Sequence, residues 1–414
     1  MELRKVLAEL EIADQYHDAV ALDWDTSICS LLQEPDFLHE GQIKECFEIL
    51  GLPNDQLEYV VSIANMVNAN PFAKALTWHA HCQLCVNKER RLFSEWPDLK
   101  VFFADRAPVF YFLVLLSVIP VALENYKKRG LSEFSLPAVQ RINELIDKFR
   151  NNNDGKLGVY TEALHWTKHY AVADIVRLGR FEYEFSRTCD SCPLVYRNIH
   201  DGQTIAFANQ DWLLNEQGYL IFWGEDDSTA SVITTFVETG TYIEGYPVNP
   251  SGHVETACKM RLATSEWKRV IGPGDLVPGV HIPVGGGMTP ESVKASFALA
   301  AAFFAKHMPE EDIKGFTCES WILNPQFQEL LPNLNMDKFQ KELYLFPVRS
   351  SGNDGLFFIF GNDDIDLKTA PRDNSLRRAM LSVLDSGDKL RGGGMIYLVD
   401  DLQKFGTQVY LNNF

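Results

Sequence analysis

The sequence predicts an α+β protein: an all-helical N-terminal domain over residues 1–150, then a mixed β-sheet domain with flanking helices over residues 151–414. Three observations carry that expectation. Apolar residues recur at helical spacing as far as Phe149. The run NNNDGK, Asn151 to Lys156, favours turns and left-handed backbone over regular structure. From Gly179 onward the period shortens to strand-like alternation.

Taken in order, LRKVLAELEIADQYHDAV places apolar and charged residues at the spacing of an amphipathic helix. GQIKECFEILGL stops at Gly51-Leu52-Pro53, and PNDQLEYVVSIANMV starts again behind an Asn-Asp cap. Further helices are expected over Pro71 to Phe93 and in SLPAVQRINELIDKF. Between them lies APVFYFLVLLSVIPVAL, Ala107 to Leu123. It falls short of the roughly 20 apolar residues that a membrane span needs and contains Pro120, so it reads as a buried helix. A helix from about Tyr160 to Leu178 fits either half.

The second half begins with the strands RFEYEFS, QTIAFANQDWLLN and YLIFWG, and with ASVITTFVETGTYIEGYPVNPSGHVET as strand, turn, strand. Its centre is a strand, helix, strand, helix unit from Val280 to Leu331. The strand VHIPV leads through GGGM into the helix TPESVKASFALAAAFFAKHM; the strand GFTCESWIL and the short helix NPQFQELL follow.

Thr289 is a good N-cap, Pro290 fits the first helical position, and Glu291 offsets the positive end of the dipole. Val293, Phe297, Ala300 and Phe304 make an apolar stripe that Leu299 and Phe303 widen. Lys306 and His307 close the last turn. A strand, crossover helix and strand of this size form a right-handed parallel unit. Gly285, Gly286 and Gly287 then lie at the carboxyl end of a strand, where open α/β sheets bind ligands. Beyond it, FQKELYLFPV and GLFFIFG read as a hairpin, DNSLRRAMLSVLDSGD as a capped helix and GGMIYLVDD as a last strand.

The chain has 414 residues and a net charge of −18. Such an acidic surface repels phosphate and so argues against nucleic-acid and anionic-membrane partners. MELRKVLAELEIAD lacks the apolar core of a secretory signal, which points to the cytoplasm. Eight cysteines include the pairs Cys82/Cys85 and Cys189/Cys192, expected as thiols. His79 and His81 lie beside the first pair. Cys82 sits in a helical stretch and Pro193 follows the second pair, so neither has a zinc-ribbon setting and no metal site is expected.

The runs GDLVPGVHIPVGGGMTPES, FTCESWILNPQFQELLP and PRDNSLRRAM together resemble a bacterial family of acyltransferase-domain proteins. These pair a helical N-acyltransferase N-terminal domain with a C-terminal domain similar to the GNAT N-acetyltransferase fold. The resemblance covers most of the chain and is most specific at HIP(x)GG and SW(I/L)L. It implies a GNAT-like sheet in which two parallel strands splay to admit coenzyme A or acyl-CoA. The loop after the first strand would hold the pyrophosphate; here that loop is Val284, Gly285, Gly286, Gly287, Met288 and Thr289. Glycines allow close backbone approach, and a helix start offers unpaired donors. Two departures stand out. The GNAT signature of an Arg or Gln before spaced glycines is absent, and Glu291 would repel a diphosphate.

Acyl transfer from a thioester to an amine needs a base, donors for the oxyanion and an acid for the leaving thiolate. By the resemblance the base lies on the first core strand, where His281 stands; a histidine paired to a backbone group is the simpler alternative. Alternation puts Thr317, Glu319 and Trp321 on one face of the second strand and Cys318, Ser320 and Ile322 on the other. Glu319 then suits a base or amine anchor, Cys318 and Ser320 a thiolate acid or covalent nucleophile, and Trp321 the core. The resemblance makes Tyr344 a general acid. Arg391-Gly392-Gly393-Gly394 is a second possible anion loop, and His253 reads as a turn residue. The expected function is N-acyl transfer from acyl-CoA to a small-molecule amine or a peptide. The alternatives are a non-catalytic ligand-binding protein of the same fold and a thiol enzyme using Cys318.

Overall fold

In the computed structural model, which describes residues 1–31, 34–87, 93–188 and 191–414, the long apolar run becomes one 22-residue helix, Ala107–Lys128. Pro120 is accommodated inside it. The helices Leu57–Ala69, Pro71–Cys85, Ser132–Gln140 and Thr167–Val172 all pack on this one. Among the described residues Lys100–Lys128 alone is long and apolar enough to cross a membrane, and 72% of its apolar window is buried inside the fold. These helices belong to the first of two compact units, Met1–Arg177; the second is Leu178–Phe414.

The N-terminal helices are shorter than their apolar periods. The first stretch gives Leu3–Glu9, a 3-10 turn and His17–Ala21. The helix that starts at Pro71 ends at Cys85, and Lys88–Leu92 lie outside the described residues. Asn70 caps that helix, its side-chain oxygen accepting from the N–H groups of Phe72 and Ala73 at 2.9 and 3.0 Å. Asn151 and Asn152 of NNNDGK still belong to the helix Ile142–Asn152, and the chain turns after them, with Asp154 and Gly155 at φ 53° and 76°. The stretch expected as a helix to Leu178 holds two short helices, Thr161–Leu164 and Thr167–Val172, and then a strand, Ile175–Leu178. Ala173 at φ 56° breaks the helix, and Ile175 and Val176, both β-branched, favour the extended chain that follows.

His79 and His81 are buried on Pro71–Cys85, their Nδ1 atoms each 2.8 Å from a serine Oγ, of Ser27 and Ser117 respectively. Burial lowers both from the ordinary 6.5 to about 4. The folded chain thus holds them neutral where the unfolded chain protonates them. Their contribution is complete above pH 6.5 and is lost as pH falls toward about 4, at most about 3 kcal/mol each. The melting midpoint should therefore drop steeply across that window, and His81→Gln should flatten the profile. A wild-type midpoint independent of pH there would refute this account. Burial also raises the thiols of Cys82 and Cys85. Cys189 lies outside the described residues, so the second cysteine pair is not described.

The second unit is built on a mixed sheet. Its strands in chain order are β1 (Ile175–Leu178), whose Leu178 starts the unit, β2 (Phe181–Glu184), β3 (Gly279–His281), β4 (Gly315–Ser320), β5 (Tyr344–Pro347) and β6 (Gly393–Leu398). Their order across the sheet is β1-β2-β3-β4-β6-β5. β3 lies parallel to β4; β3 with β2, β4 with β6 and β5 with β6 are antiparallel. The helix Pro290–His307 makes the crossover from β3 to β4, as the sequence pattern requires.

Phe297 of that helix is fully buried. Its ring is stacked with Tyr397 at 4.9 Å and with Phe316 at 5.4 Å, and Phe181 lies 5.7 Å away. Val293, Ala300, Phe303 and Phe304 are buried with it, while Leu299 of the expected stripe is 51% exposed. A five-stranded antiparallel sheet precedes β3, built from Leu194–Asn198, Thr204–Phe207, Pro247–Asn249, His253–Val254 and Trp267–Ile271. Tyr196, Phe207 and Trp267 centre its core.

Two expected strands are absent. YLIFWG contributes only the bridge Leu214↔Leu220. GLFFIFG is a short helix, Leu356–Phe360, between Gly355 at φ 92° and Gly361 at φ 80°. Its apolar run carries no period, and the two left-handed glycines set its ends. Phe339, Gln340 and Lys341, the start of the expected partner strand FQKELYLFPV, likewise belong to a helix, Asn335–Lys341.

Candidate functional site

β3 is short, Gly279–His281, and Pro283, with no N–H to donate, bars the chain from continuing the ladder at that position. The β3–β4 pairing is confined to one position, Gly279↔Thr317. β4 stays fully paired with β6 on its other side, from Gly315↔Leu398 to Ser320↔Gly393. Past Gly279 the two parallel strands part, and a cleft of about 840 Å³ opens there, lined by Val280 to Met288 on one side and Cys318 to Ile322 on the other.

The glycine loop forms one end of the cleft. Gly285, Gly286 and Gly287 have φ of 85°, 72° and 56°, backbone that L side chains rarely adopt. A Cβ on Gly285 or Gly287 would meet nothing within 4 Å, so conformation rather than crowding requires glycine. The loop thus leaves open space beside its backbone, as a cofactor phosphate needs. Val284 is 85% exposed, and Met288 is buried. Thr289 is not among the lining residues; its hydroxyl caps the crossover helix, accepting from Ser292 N–H at 3.3 Å.

His281 lines the cleft, and its Nε2 lies 2.9 Å from Glu184 Oε2 on β2. This partner is a carboxylate. With Nε2–H donated there, Nδ1 is the basic nitrogen of the neutral ring. Glu184 was not foreseen, because the contact depends on the β2–β3 register, which sets Gly279 against Glu184 and His281 against Glu182.

Cys318, Glu319 and Ser320 also line the cleft. Burial pushes the Cys318 thiol up to about 12, with Glu319 adding to the effect, so it is held as a thiol. Glu319 is exposed and accepts from Ser191 Oγ at 2.6 Å. Ser320 Oγ accepts from Ile322 N–H at 3.3 Å, where β4 turns into a 3-10 helix, Trp321–Leu323. The strand alternation expected to continue through Ile322 therefore ends at Ser320. Trp321 is half-buried: it packs against the core cluster around Phe327, Leu356 and Met380 and also lines the cleft, stacked on Phe358 with centroids 6.1 Å apart.

Tyr344 is not brought to the site. It is buried on β5, where its hydroxyl donates to Val248 O at 2.5 Å and accepts from Ala206 N–H at 2.9 Å. Burial raises its phenol further. The second glycine run is no anion loop either, since Gly393 and Gly394 lie within β6. A Cβ there would fall 2.0 Å from Leu323 O or 2.2 Å from the Phe346 ring. Arg391 is buried over the rings of Phe222 and Tyr219 at 4.2 and 4.9 Å. His253 is on a two-residue strand, with Nδ1 3.2 Å from Ser251 Oγ. Arg180 and Arg349, which the sequence did not single out, complete the charged lining with Glu319 and Asp354.

No curated protein matches the sequence. Solved acyltransferase structures share its fold. An acyltransferase in complex with decanoyl-CoA and teicoplanin superposes with a TM-score of 0.65 at 18% identity, covering 96% of this chain and 100% of that one. A mutant acyltransferase in complex with octanoyl-CoA gives the same score and identity over 96% and 99%. A third, an acyltransferase in complex with CoA and 10C-teicoplanin, gives 0.62 at 17% identity over 96% and 100%. The family profile of the GNAT-like C-terminal domain matches residues 175–396. That span is more than half of the sequence and contains the parted strands, the glycine loop and His281, and the chain belongs to the GNAT-like C-terminal domain family.

Proposed function

We propose that the protein is an acyl-CoA-dependent N-acyltransferase. The observation that carries this reading is the parting of β3 and β4 after a single paired position, with the left-handed glycine loop and His281 lining the cleft that opens there. Val284 to Met288 would hold the coenzyme, whose chemistry is to present an activated acyl group as a thioester. The solved relatives of this fold that bind CoA, octanoyl-CoA and decanoyl-CoA support the donor class. The acceptor is a small-molecule amine or a peptide. Residues 1–150 correspond on this reading to the helical N-acyltransferase N-terminal domain and 151–414 to the acyltransferase domain. A donor drawn from the cell's own acyl-CoA fits a cytoplasmic enzyme.

In such a transfer the acceptor nitrogen bonds to the acyl carbon, the carbon–sulfur bond breaks, and one proton passes from nitrogen to the departing sulfur. His281 is the residue that takes that proton, at Nδ1, while Glu184 holds the ring through Nε2. Burial holds Cys318 as a thiol, so the proton that reaches the departing sulfur is the one His281 has taken, and Glu319 is an anchor for the acceptor amine.

Glu291, in the first turn of the crossover helix, favours a second reading, a ligand-binding protein that keeps the cleft and has lost the coenzyme. A thermal-shift titration separates the two. A ligand that binds only the folded state at a hundredfold over its dissociation constant adds about 2.7 kcal/mol. CoA, acetyl-CoA, octanoyl-CoA and decanoyl-CoA should give saturable rises in melting temperature. No shift with any of them at millimolar concentration would leave the second reading.

A further inference from the structure

We propose that Arg180, in the turn between β1 and β2, supplies the cation that the glycine loop lacks, and that it binds the coenzyme's diphosphate together with the backbone of Gly285–Gly287. The inference rests on the acyl-CoA reading above and assigns a residue to it.

From Val284 to Thr289 the loop has no charged side chain, and the first charge after it is the carboxylate of Glu291. In a chain of net charge −18, a diphosphate held by backbone N–H groups alone would face a repulsive field. A cation must come from elsewhere in the fold. Two arginines line the cleft, Arg180 and Arg349. Arg349 stacks on Trp223 at 4.6 Å and lies 3.8 Å from Asp227.

Arg180 runs along the loop itself. Its Nε–H donates to Gly287 O at 2.7 Å, and its Cδ and Nε lie 3.9 Å from where a Gly286 Cβ would stand. The guanidinium therefore flanks the open space that the three glycines leave, and its charge persists however its other donors are shared.

The placement is fixed by the core. Ser296 of the crossover helix is fully buried; its hydroxyl donates to Leu178 O at 2.5 Å and accepts from Phe181 N–H at 3.2 Å, one bond on each side of the turn. Gly179, at φ 67°, lets the turn approach the helix so closely that its Cβ would stand 3.4 Å from Ser296 Cα. The turn that carries Arg180 and the helix that starts at the glycine loop are thus bolted together. An anion site organised this way needs no rearrangement to bind.

The test is titration calorimetry on the full chain with coenzyme A and with 3′-dephospho-coenzyme A, which keeps the diphosphate and lacks the 3′-phosphate. Arg180→Gln should weaken both ligands by the same factor, about 10- to 100-fold for a lost charge-assisted contact. Arg180→Lys, which keeps a point charge, should recover part of that loss. Wild-type affinity in Arg180→Gln would overturn the proposal while leaving the acyl-CoA reading intact. So would a loss confined to coenzyme A, which would assign the arginine to the 3′-phosphate. Arg180→Lys as weak as Arg180→Gln would assign it to shaping the loop through Gly287 and overturn it too. A wild-type chain that binds neither ligand would bring down the acyl-CoA reading and this proposal together.

Discussion

His281→Ala should lower the turnover number by about 10²- to 10⁴-fold, the range that a positioned general base contributes, and should leave the affinity for acyl-CoA unchanged. His281 combines cleft exposure with a fixed orientation: Glu184 accepts from Nε2 at 2.9 Å, so Nδ1 carries the lone pair. On the proposed reading, removal of the imidazole takes away a group used as the nitrogen–carbon bond forms, and no group assigned to hold the coenzyme. The loss therefore falls on turnover rather than on binding. Glu184→Gln keeps a hydrogen-bond acceptor but removes the charge, and it should give a smaller loss of the same kind. The assay follows free thiol release from acyl-CoA in the presence of an amine acceptor, alongside calorimetry of donor binding. Wild-type turnover in His281→Ala would end the base assignment. Lost donor binding in that variant would place His281 with the coenzyme instead.

Phe297→Ala should destabilise the second unit by about 3–5 kcal/mol, the cost of emptying a buried phenylalanine site. The ring is fully buried, with Tyr397 and Phe316 stacked at 4.9 and 5.4 Å and Phe181 and Phe405 at 5.7 and 6.3 Å. These partners come from β6, β4, β2 and the segment after β6, so the cavity is walled by elements that cannot all collapse into it. Urea unfolding followed by far-UV circular dichroism measures the loss. The ring also anchors the helix that starts at the glycine loop, so Phe297→Leu should recover most of the stability. A loss below about 1 kcal/mol in Phe297→Ala would show that the core relaxes around the gap.

Much of this was legible from residue patterns because the signals are local. The crossover helix declared itself through Thr289, Pro290 and its apolar stripe, and Asn374 likewise caps the helix at Ser375, accepting from Arg377 N–H at 2.9 Å. The three glycines marked the loop because their spacing after a strand is a property of the chain alone. Where a segment had no period, the pattern misled. LFFIF is apolar at every position and suits a buried strand as well as a helix; only Gly355 and Gly361, both left-handed, resolve it. The pattern of SWIL continues a strand, whereas Ser320 caps a turn there.

By itself the sequence determined the helical first half, the parallel strand–helix–strand unit, the glycine loop at its strand end and the presence of His281, Cys318, Glu319 and Ser320 near it. Each of these follows from neighbours within a few residues, since caps, periods and turns are set by local hydrogen bonding and sterics. The tertiary structure alone decided which groups meet. It brought Glu184 to His281 across 97 residues and Arg180 to Gly287 across 107, and it spent the Tyr344 hydroxyl on the backbone of Ala206 and Val248. Those outcomes depend on strand register, where a shift of one residue turns every side chain to the opposite face, and no local pattern in the chain encodes that choice.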